Sequence, residues 1–351
     1  MKNRPKYAKA AILVEQNKPL IIDNIIFPDK LLPGQILVKV LTSGICGSQL
    51  GEISGAKGHD PYLPHLMGHE GCAKVLDIGD GVTNVDIGDK VILHWRKGAG
   101  IQSSPPKYIW NNKELNAGWV TTFNTHAIVS ENRCTKISSN IDNDLASLFG
   151  CAITTGFGVV ENNAKLKMGE SVVVFGAGGV GLNIIQASSL HSAYPIIAVD
   201  MFDNRLELAK KFGATHIVNT RKTDFFSEIS KLGLVGKLDV FIDNTGNTKI
   251  IENGYEIISP SGKLILVGVP RKGKNINIFT LPLHFGKKII GSHGGECNPS
   301  RDIPRFLNLF EKEIALYKEL ITKKIKLDNI NEGIKLMREG DTAGRILIEI
   351  L

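Results

Sequence analysis

Cys46 lies in a glycine-flanked turn of the chain, SGICGSQLGE (residues 43–52). A cysteine in such a turn can be a small buried residue, a nucleophile or a metal ligand. His69 in LMGHEGCAK and Cys151 in GCAITTGFG are two further residues of metal-ligand type. Two thiolates and an imidazole suit a catalytic zinc ion, because three protein ligands leave one tetrahedral position for water or substrate. Spacing by itself does not join Cys151 to the other two, so three unrelated buried residues remain an alternative.

The glycine-rich stretch VVVFGAGGVG is a second pattern with a chemical meaning. Gly176, Gly178 and Gly181 have the spacing G-x-G-x-x-G between an apolar strand and a predicted helix. The first glycine permits a tight turn, the second lets the backbone approach a pyrophosphate, and the third lets helix and strand pack closely. The N-terminus of the helix, with Gly179 and Val180, offers free N–H groups to the phosphate. The pattern predicts a dinucleotide site; a glycine turn in another kind of α/β enzyme is the weaker alternative.

Asp200 ends the next predicted strand, 19 residues after Gly181. A carboxylate at this distance is expected to meet the hydroxyls of the adenosine ribose. It would repel a 2′-phosphate, so NAD is favoured over NADP. Arg205 is a mild opposing signal, because it could lie near the ribose.

Two patterns describe the elements that must position these residues. The first 150 residues or so contain short β-rich runs separated by turns, which predicts an antiparallel, barrel-like module. After about residue 152 strands alternate with helices, which predicts an α/β fold with a parallel, doubly wound sheet. The final strand, GRILIEIL, could return to the first module. We therefore predict one domain of residues 1–151 completed by 295–351, and a second of residues 152–294.

Composition narrows the class of protein. The chain has 351 residues, of which 42% are hydrophobic and 22% charged, with a net charge of +7. Its lysines are dispersed, so we interpret them as solvated surface; nucleic-acid binding is a poor second, and an anionic substrate stays open. No apolar stretch is long enough for a membrane span, and the apolar run near the start is too short for a signal peptide. Five widely spaced cysteines favour a reduced, cytoplasmic protein.

A family resemblance connects the separate motifs. The chain contains, in family order, GICGS, GHEGCAKVLDIGDGVTNVDIGDKV, GCAITTGFGVV, GAGGVG and GSHGGECNPSRDIPRF. Along essentially its whole length it resembles zinc-dependent alcohol dehydrogenases of the medium-chain dehydrogenase/reductase superfamily, closest to the class I/class III type. The resemblance implies a GroES-like catalytic domain and a Rossmann coenzyme domain. It also implies Cys46, His69 and Cys151 as zinc ligands, with Glu70 as a nearby carboxylate that approaches or tunes the metal.

The resemblance also implies a reaction. In the family, zinc favours the alkoxide of a bound alcohol, and hydride passes to the nicotinamide of NAD. Ser48 matches the hydroxyl that relays the alcohol proton, and Arg345 matches a basic residue that reaches the pyrophosphate. Thr155 matches a residue that lines the nicotinamide. Gly246 fits close approach to the cofactor but could equally be a turn glycine. A homodimer or homotetramer is expected.

Several positions depart from the family pattern. Residues 96–118 lack the four cysteines that hold a structural zinc in many relatives, so we predict one catalytic zinc and no structural zinc. The segment has little periodicity, which predicts a long irregular surface loop. It would be held by packing, with four aromatic residues available: Trp95, Tyr108, Trp110 and Trp119. Gln49 replaces an Asp that often orients the zinc-ligand histidine. Gly51 replaces the histidine that passes the proton to water in class I enzymes, so the proton exit stays unassigned.

Four hypotheses follow for the function. The leading one is an NAD-linked zinc alcohol dehydrogenase that interconverts alcohols with aldehydes or ketones. The same apparatus could instead serve a polyol, a sugar or a sugar phosphate. A zinc-free quinone or enoyl reductase is disfavoured by the cysteine–histidine–cysteine set. A non-enzymatic nucleotide-binding protein is the remaining alternative.

Overall fold

The computed structural model describes residues 4–312, 314–340 and 342–350. The strands, in chain order, are β1 (Tyr7–Leu13), β2 (Ile21–Ile26), β3 (Gln35–Ile45), β4 (His65–Leu66), β5 (Glu70–Ile78), β6 (Lys90–His94), β7 (Tyr108–Trp110), β8 (Lys113–Leu115), β9 (His126–Ser130), β10 (Cys134–Ile137), β11 (Val172–Phe175), β12 (Ile196–Asp200), β13 (His216–Asn219), β14 (Leu238–Asp243), β15 (Ile258–Leu266), β16 (Lys288–Gly291), β17 (Ile321–Lys326) and β18 (Arg345–Glu349).

The α-helices are α1 (Gly47–Ile53), α2 (Asn143–Leu148), α3 (Ala152–Gly158), α4 (Gly179–Leu190), α5 (Asp203–Lys211), α6 (Phe225–Lys231), α7 (Thr248–Ile257), α8 (Pro299–Glu311) and α9 (Ile330–Glu339). A π-helical turn, Val159–Ala164, continues α3. Short 3-10 helices cover Glu131–Arg133, Leu281–Phe285, Gly294–Glu296, Lys318–Leu320 and Leu327–Asn329. Within the described ranges, no helix is both long enough and apolar enough to cross a membrane.

One compact unit contains the described residues of Met1–Cys151, Asn298–Asp341 and Arg345–Leu351. It has a five-stranded sheet in the order β4-β1-β2-β7-β8 and a seven-stranded sheet in the order β10-β6-β5-β3-β18-β17, with β9 also paired to β3. Most pairs are antiparallel; β17 and β18 run parallel. The last strand, β18, pairs with β3 so that Ile346 lies opposite Ile45. A strand from the end of the chain is therefore adjacent to the strand that leads to Cys46.

The second compact unit contains Ala152–Cys297 and Thr342–Gly344. Its six strands form a sheet in the order β13-β12-β11-β14-β15-β16, and every pair is parallel. Buried aliphatic and aromatic side chains, including Val173, Ile197 and Phe241, form its core. The alternation of strands and helices in the sequence predicted this architecture, and the predicted α/β fold class is confirmed.

The segment 96–118 is more regular than the sequence indicated. β7 and β8 form an antiparallel hairpin in which Trp110 pairs with Lys113. The two residues between them, Asn111 and Asn112, have φ angles of 50° and 59°. Asparagine tolerates this left-handed conformation, and a two-residue turn with both φ values positive matches the twist of a hairpin. The prediction of an irregular loop was therefore wrong for residues 108–115.

A buried carboxylate anchors the start of this segment. The side chain of Glu131 is buried, and its Oε1 accepts hydrogen bonds from the backbone N–H groups of Thr83 (2.7 Å) and Asn84 (2.9 Å). Its Oε2 accepts from the N–H of Ile101 at 2.7 Å. One charged group thus ties two loops together through three donors.

The aromatic residues named from the sequence contribute unequally. Tyr108 is fully buried, and its hydroxyl accepts a hydrogen bond from the N–H of Ile128. Trp110 donates from its indole nitrogen to Asp23. Trp119 is 42% exposed, with the Arg133 guanidinium over its ring. Packing therefore involves Tyr108 and Trp110, whereas Trp119 is largely at the surface.

We predict that Glu131→Gln lowers the free energy of unfolding by about 2 kcal/mol or more, because hydrogen bonds to a charged acceptor contribute about 1.5–3 kcal/mol each. The amide would also present N–H to a backbone donor. Denaturant unfolding measures the change. Glu114→Gln is the matched control, since the Glu114 side chain is exposed and pairs with Lys107 at the surface. Equal stabilities of the two variants would contradict the anchoring role.

Candidate active site

Three separate elements bring the cysteine–histidine–cysteine set together in the first unit. Cys46 follows β3 and forms the N-cap of α1. His69 immediately precedes β5, after Gly68, whose φ of +94° is available to glycine at little cost. Cys151 follows α2. The sequence therefore places each ligand at the end of a regular element, where a side chain can turn toward a common point.

The distances within this set fit a zinc ion. The Sγ atoms of Cys46 and Cys151 are 3.9 Å apart. Two thiolates at about 2.3 Å from a tetrahedral zinc are expected to lie about 3.8 Å apart. The three ligand atoms lie within 4.8 Å of one another. Nε2 of His69 is buried and has no hydrogen-bond partner among the described residues. An uncompensated ring nitrogen beside two thiols is the donor arrangement that zinc would complete.

Ionisation of the two thiols is strongly linked. Contact with Cys151 holds the pKa of the Cys46 thiol well below its ordinary value; burial opposes this, and the positive charge of Arg345 supports it. Contact with Cys46 and burial raise the pKa of Cys151 well above its ordinary value. One thiolate is therefore readily formed, whereas a second negative charge beside it needs a cation.

Arg345 and Glu70 complete the charge distribution around the thiols. Glu70 is fully buried, and its Oε1 lies 3.2 Å from Nε of Arg345. One guanidinium nitrogen of Arg345 donates toward Sγ of Cys46 at 3.5 Å, and another donates to the Ile45 carbonyl at 3.4 Å. Burial disfavours the charged guanidinium, but the negative Cys46 and Glu70 raise the pKa of Arg345 further above its ordinary value. With both thiols ionised, these four groups carry two more negative than positive charges, which a divalent cation would balance.

Two glycines make the close packing of Glu70 feasible. A Cβ at Gly44 would lie 2.4 Å from Oε1 of Glu70, and a Cβ at Gly150 would lie 2.5 Å from its Cα. Larger residues at either position would displace the carboxylate or the chain that leads to Cys151. Gly150, the first glycine of GCAITTGFG, is therefore needed to leave space for Glu70.

Helix α1 carries Ser48 and two positions that depart from the family pattern, Gln49 and Gly51. Ser48 lies in its first turn and is exposed, two residues from Cys46. The side-chain oxygen of Gln49 accepts a hydrogen bond from the N–H of Cys46 at 2.9 Å. Gln49 therefore supports the cysteine ligand, a role that the sequence did not indicate. A Cβ at Gly51 would meet only Ala56, at 3.7 Å, so this position has room for a side chain.

His94 is a further histidine of the first unit, and it is unsuited to carrying the alcohol proton to solvent. It is buried, and its two ring nitrogens interact with the Arg96 carbonyl and the Thr135 hydroxyl. Burial lowers the pKa of His94 to about 4. The ring is therefore a neutral structural element at physiological pH.

The glycine-rich loop has the expected geometry in the second unit. Gly176 follows β11 with a φ of +95°, and Gly178 is the N-cap of α4, whose first residues are Gly179 and Val180. A Cβ at Gly181 would lie 2.0 Å from the Gly176 carbonyl oxygen, so only glycine fits. A Cβ at Gly178 would meet nothing within 4 Å. The loop thus combines close helix–strand packing with open space at the helix N-terminus.

Asp200 fixes this loop directly. It is buried at the end of β12, and its Oδ2 accepts a hydrogen bond from the N–H of Ala177 at 2.8 Å. Its Oδ1 accepts from the N–H of Met201 at 2.7 Å. Arg205 lies 3.7 Å from the same carboxylate, with its guanidinium 4.7 Å from the Phe202 ring centre. Arg205 is therefore already engaged by the carboxylate and the aromatic ring.

Other predicted cofactor positions are also in the second unit. Thr155 is buried in α3, and Gly246 has a φ of +67° close to the Val269 carbonyl. Asp243 was not singled out from the sequence. Its carboxylate accepts from the Thr245 hydroxyl (2.6 Å) and the N–H of Gly246 (2.9 Å), which shapes the turn after β14. The only signal for it was its place at the end of a buried strand.

Comparison with known proteins identifies the family. Residues 32–139 match the alcohol dehydrogenase GroES-like domain, and residues 179–312 match the zinc-binding dehydrogenase family. The chain belongs to the zinc-dependent alcohol dehydrogenases of the medium-chain dehydrogenase/reductase superfamily. The predicted family is confirmed, and with it an NAD-linked zinc oxidoreductase class.

Individual relatives match over nearly the whole chain. Alcohol dehydrogenase class-3 of Cereibacter sphaeroides is 29% identical, covering 97% of this chain and 99% of the relative. S-(hydroxymethyl)glutathione dehydrogenase of Paracoccus denitrificans is 28% identical over the same shares. The crystal structure of benzyl alcohol dehydrogenase from Acinetobacter calcoaceticus has a TM-score of 0.88 and 27% identity, covering 99% of this chain and 100% of that one.

Proposed function

We propose that this chain interconverts alcohols and aldehydes or ketones with NAD at the Cys46–His69–Cys151 site. The observation that carries the proposal is the buried thiol pair, 3.9 Å apart beside an unpartnered imidazole nitrogen. Bound there, zinc would act as a Lewis acid that acidifies an alcohol, while NAD would accept the hydride. The domain division predicted from the sequence, residues 1–151 with 295–351 and residues 152–294, is kept as part of this proposal.

The residues of the chain take complementary roles in this proposal. Ser48, exposed in the first turn of α1, accepts the proton of the alcohol and passes it toward solvent. Arg345 lies against both Glu70 and Cys46. Its positive guanidinium offsets part of the negative charge that Glu70 and the thiolates bring to the site. We retain the prediction that Arg345 also contributes to the pyrophosphate site, and that Gly176, Gly178, Gly181, Thr155 and Gly246 receive the coenzyme.

A panel assay tests the activity. NAD reduction is followed with primary alcohols, secondary alcohols, polyols and sugar phosphates, alongside zinc analysis of the protein. We expect the highest kcat/KM for a simple alcohol, loss of zinc and turnover in Cys151→Ser, and a fall in kcat of about 10²-fold or more in Ser48→Ala. Ser48→Thr, which keeps a hydroxyl, is expected to retain most of the turnover.

The outcomes separate the alternatives. If polyols or sugar phosphates were the best substrates, the result would favour the hypothesis of a polyol, sugar or sugar-phosphate dehydrogenase. The 27% identity to 2R,3R-butanediol dehydrogenase from Bacillus subtilis supports the same hypothesis. Turnover that survives in Cys151→Ser would refute the metal site. Unchanged kcat in Ser48→Ala would remove its proton-transfer role.

We further propose that Asp200 selects NAD through its negative charge near the adenosine ribose. Asp200→Asn keeps an oxygen for the N–H of Ala177 but removes the charge. The ratio of kcat/KM for NAD to that for NADP is expected to fall by about tenfold or more, since juxtaposed like charges cost several kcal/mol. Asp203→Asn, a nearby exposed carboxylate, is the control. Equal ratios in Asp200→Asn and the unaltered protein would refute this role.

A homo-oligomer is part of the proposal. In the second unit β16 is the edge strand, and the preceding segment exposes Phe279 (70%) and Phe285 (74%). An unpaired strand edge beside large exposed apolar side chains is a common subunit interface. We expect light scattering to give the mass of a dimer or tetramer, and Phe285→Asp to shift it toward the monomer. A monomeric unaltered protein would contradict this.

No described cysteine forms a disulfide, which supports a cytoplasmic location.

A further inference from the structure

Glu52, Asp60 and His65 converge in the first unit, apart from the thiolate site. Glu52 is in the last turn of α1, Asp60 is in the loop that follows, and His65 begins β4. Nε2 of His65 lies 2.9 Å from Oδ2 of Asp60 and 3.9 Å from Oε1 of Glu52. The three ligand atoms fall within 4.8 Å of one another. The proposed reaction gives none of these three residues a role.

The hydrogen bonding of His65 defines what can occupy this point. Nδ1 lies 2.9 Å from the Leu66 carbonyl oxygen, which can only accept, so Nδ1 carries the proton. In the neutral ring Nε2 then has a lone pair, and this lone pair faces two carboxylates. His65 is only 7% exposed, so water does little to relieve the repulsion. A metal ion between the three groups would take up this lone pair and balance the two carboxylates.

Hydrogen bonds with the surrounding backbone orient the side chains that would bind a metal, and these bonds do not use the ligand atoms themselves. Oδ1 of Asp60 accepts a hydrogen bond from the N–H of Tyr62 at 2.9 Å, which directs Oδ2 to His65. Nε2 of Gln16 donates to the Gly58 carbonyl at 2.9 Å and fastens the loop. The bond from Nδ1 to the Leu66 carbonyl is the kind of outer contact that orients metal-binding histidines. The Glu52 side chain is 43% exposed and gives the site an opening to solvent.

We propose that Glu52, Asp60 and His65 bind a divalent cation. One nitrogen and two carboxylate oxygens suit Zn²⁺, Mn²⁺ or Co²⁺, with water in the remaining positions. Ligand atoms about 2.1 Å from a metal lie roughly 3–3.5 Å apart, so the observed 2.9 and 3.9 Å need only small side-chain movements. The bound cation would join α1 to β4, and thereby both ends of the segment between Cys46 and His69.

Manganese is the appropriate probe because it prefers oxygen and nitrogen ligands to thiolates. The zinc-loaded protein is titrated with Mn²⁺, and free Mn²⁺ is measured by electron paramagnetic resonance. We expect one saturable Mn²⁺ per chain. Glu52→Gln and Asp60→Asn should each weaken its binding by about 10-fold or more. Asp60→Asn keeps an oxygen for the N–H of Tyr62, so the turn is retained.

Two controls keep the result specific. Glu114→Gln removes an exposed carboxylate elsewhere and should leave Mn²⁺ binding unchanged. Cys151→Ser should still bind Mn²⁺, which separates this site from the catalytic one. Mn²⁺ should also raise the melting temperature of the unaltered protein and raise it less in Glu52→Gln. The absence of saturable binding, or equal affinity in Glu52→Gln, Asp60→Asn and the unaltered protein, would overturn the proposal.

Discussion

The contact between Arg345 and the buried pair Glu70 and Cys46 is the constraint on which the first unit depends. A carboxylate and a thiolate without solvent are costly unless positive charge lies beside them. Arg345 supplies that charge from the start of the last strand, and the pairing of Ile346 with Ile45 sets its position along β3. The charge balance at Cys46 therefore depends on a residue that lies 299 positions later in the sequence.

The same constraint determines the small residues around the site. Glu70 can lie against Arg345 only because Gly44 and Gly150 leave room, and His69 reaches its position through the left-handed Gly68. Each glycine serves a different purpose: space for a carboxylate, close approach of the chain, and a change of direction. The site holds one positive and three potential negative charges, and its geometry therefore depends on three residues that have no side chain.

The sequence predicted local features well and long-range ones poorly. The strand, glycine loop and helix around Gly178 are contiguous, so their spacing and physical roles could be inferred directly. Cys151 is more than 80 residues from His69 in the chain, and its place near the zinc position came from the family resemblance rather than from spacing. The sequence shows Gln49 as a departure from the family pattern, but it does not show that Gln49 accepts a hydrogen bond from the N–H of Cys46. The contacts of Glu131 with three loop N–H groups depend on tertiary structure and leave no periodic pattern. The hairpin at 108–115 does carry a local signal in the sequence, the adjacent pair Asn111 and Asn112.

The anchoring of the 96–118 segment by Glu131 has a consequence for the protein under chemical stress. Loops held by four zinc-bound thiolates are released when oxidants modify the sulfur atoms or when chelators remove the metal. A carboxylate bonded to three backbone N–H groups has no oxidisable atom and needs no metal. In this chain, peroxide or a chelator would therefore act on the Cys46–His69–Cys151 site proposed for zinc, whereas the anchor of the 96–118 segment would persist.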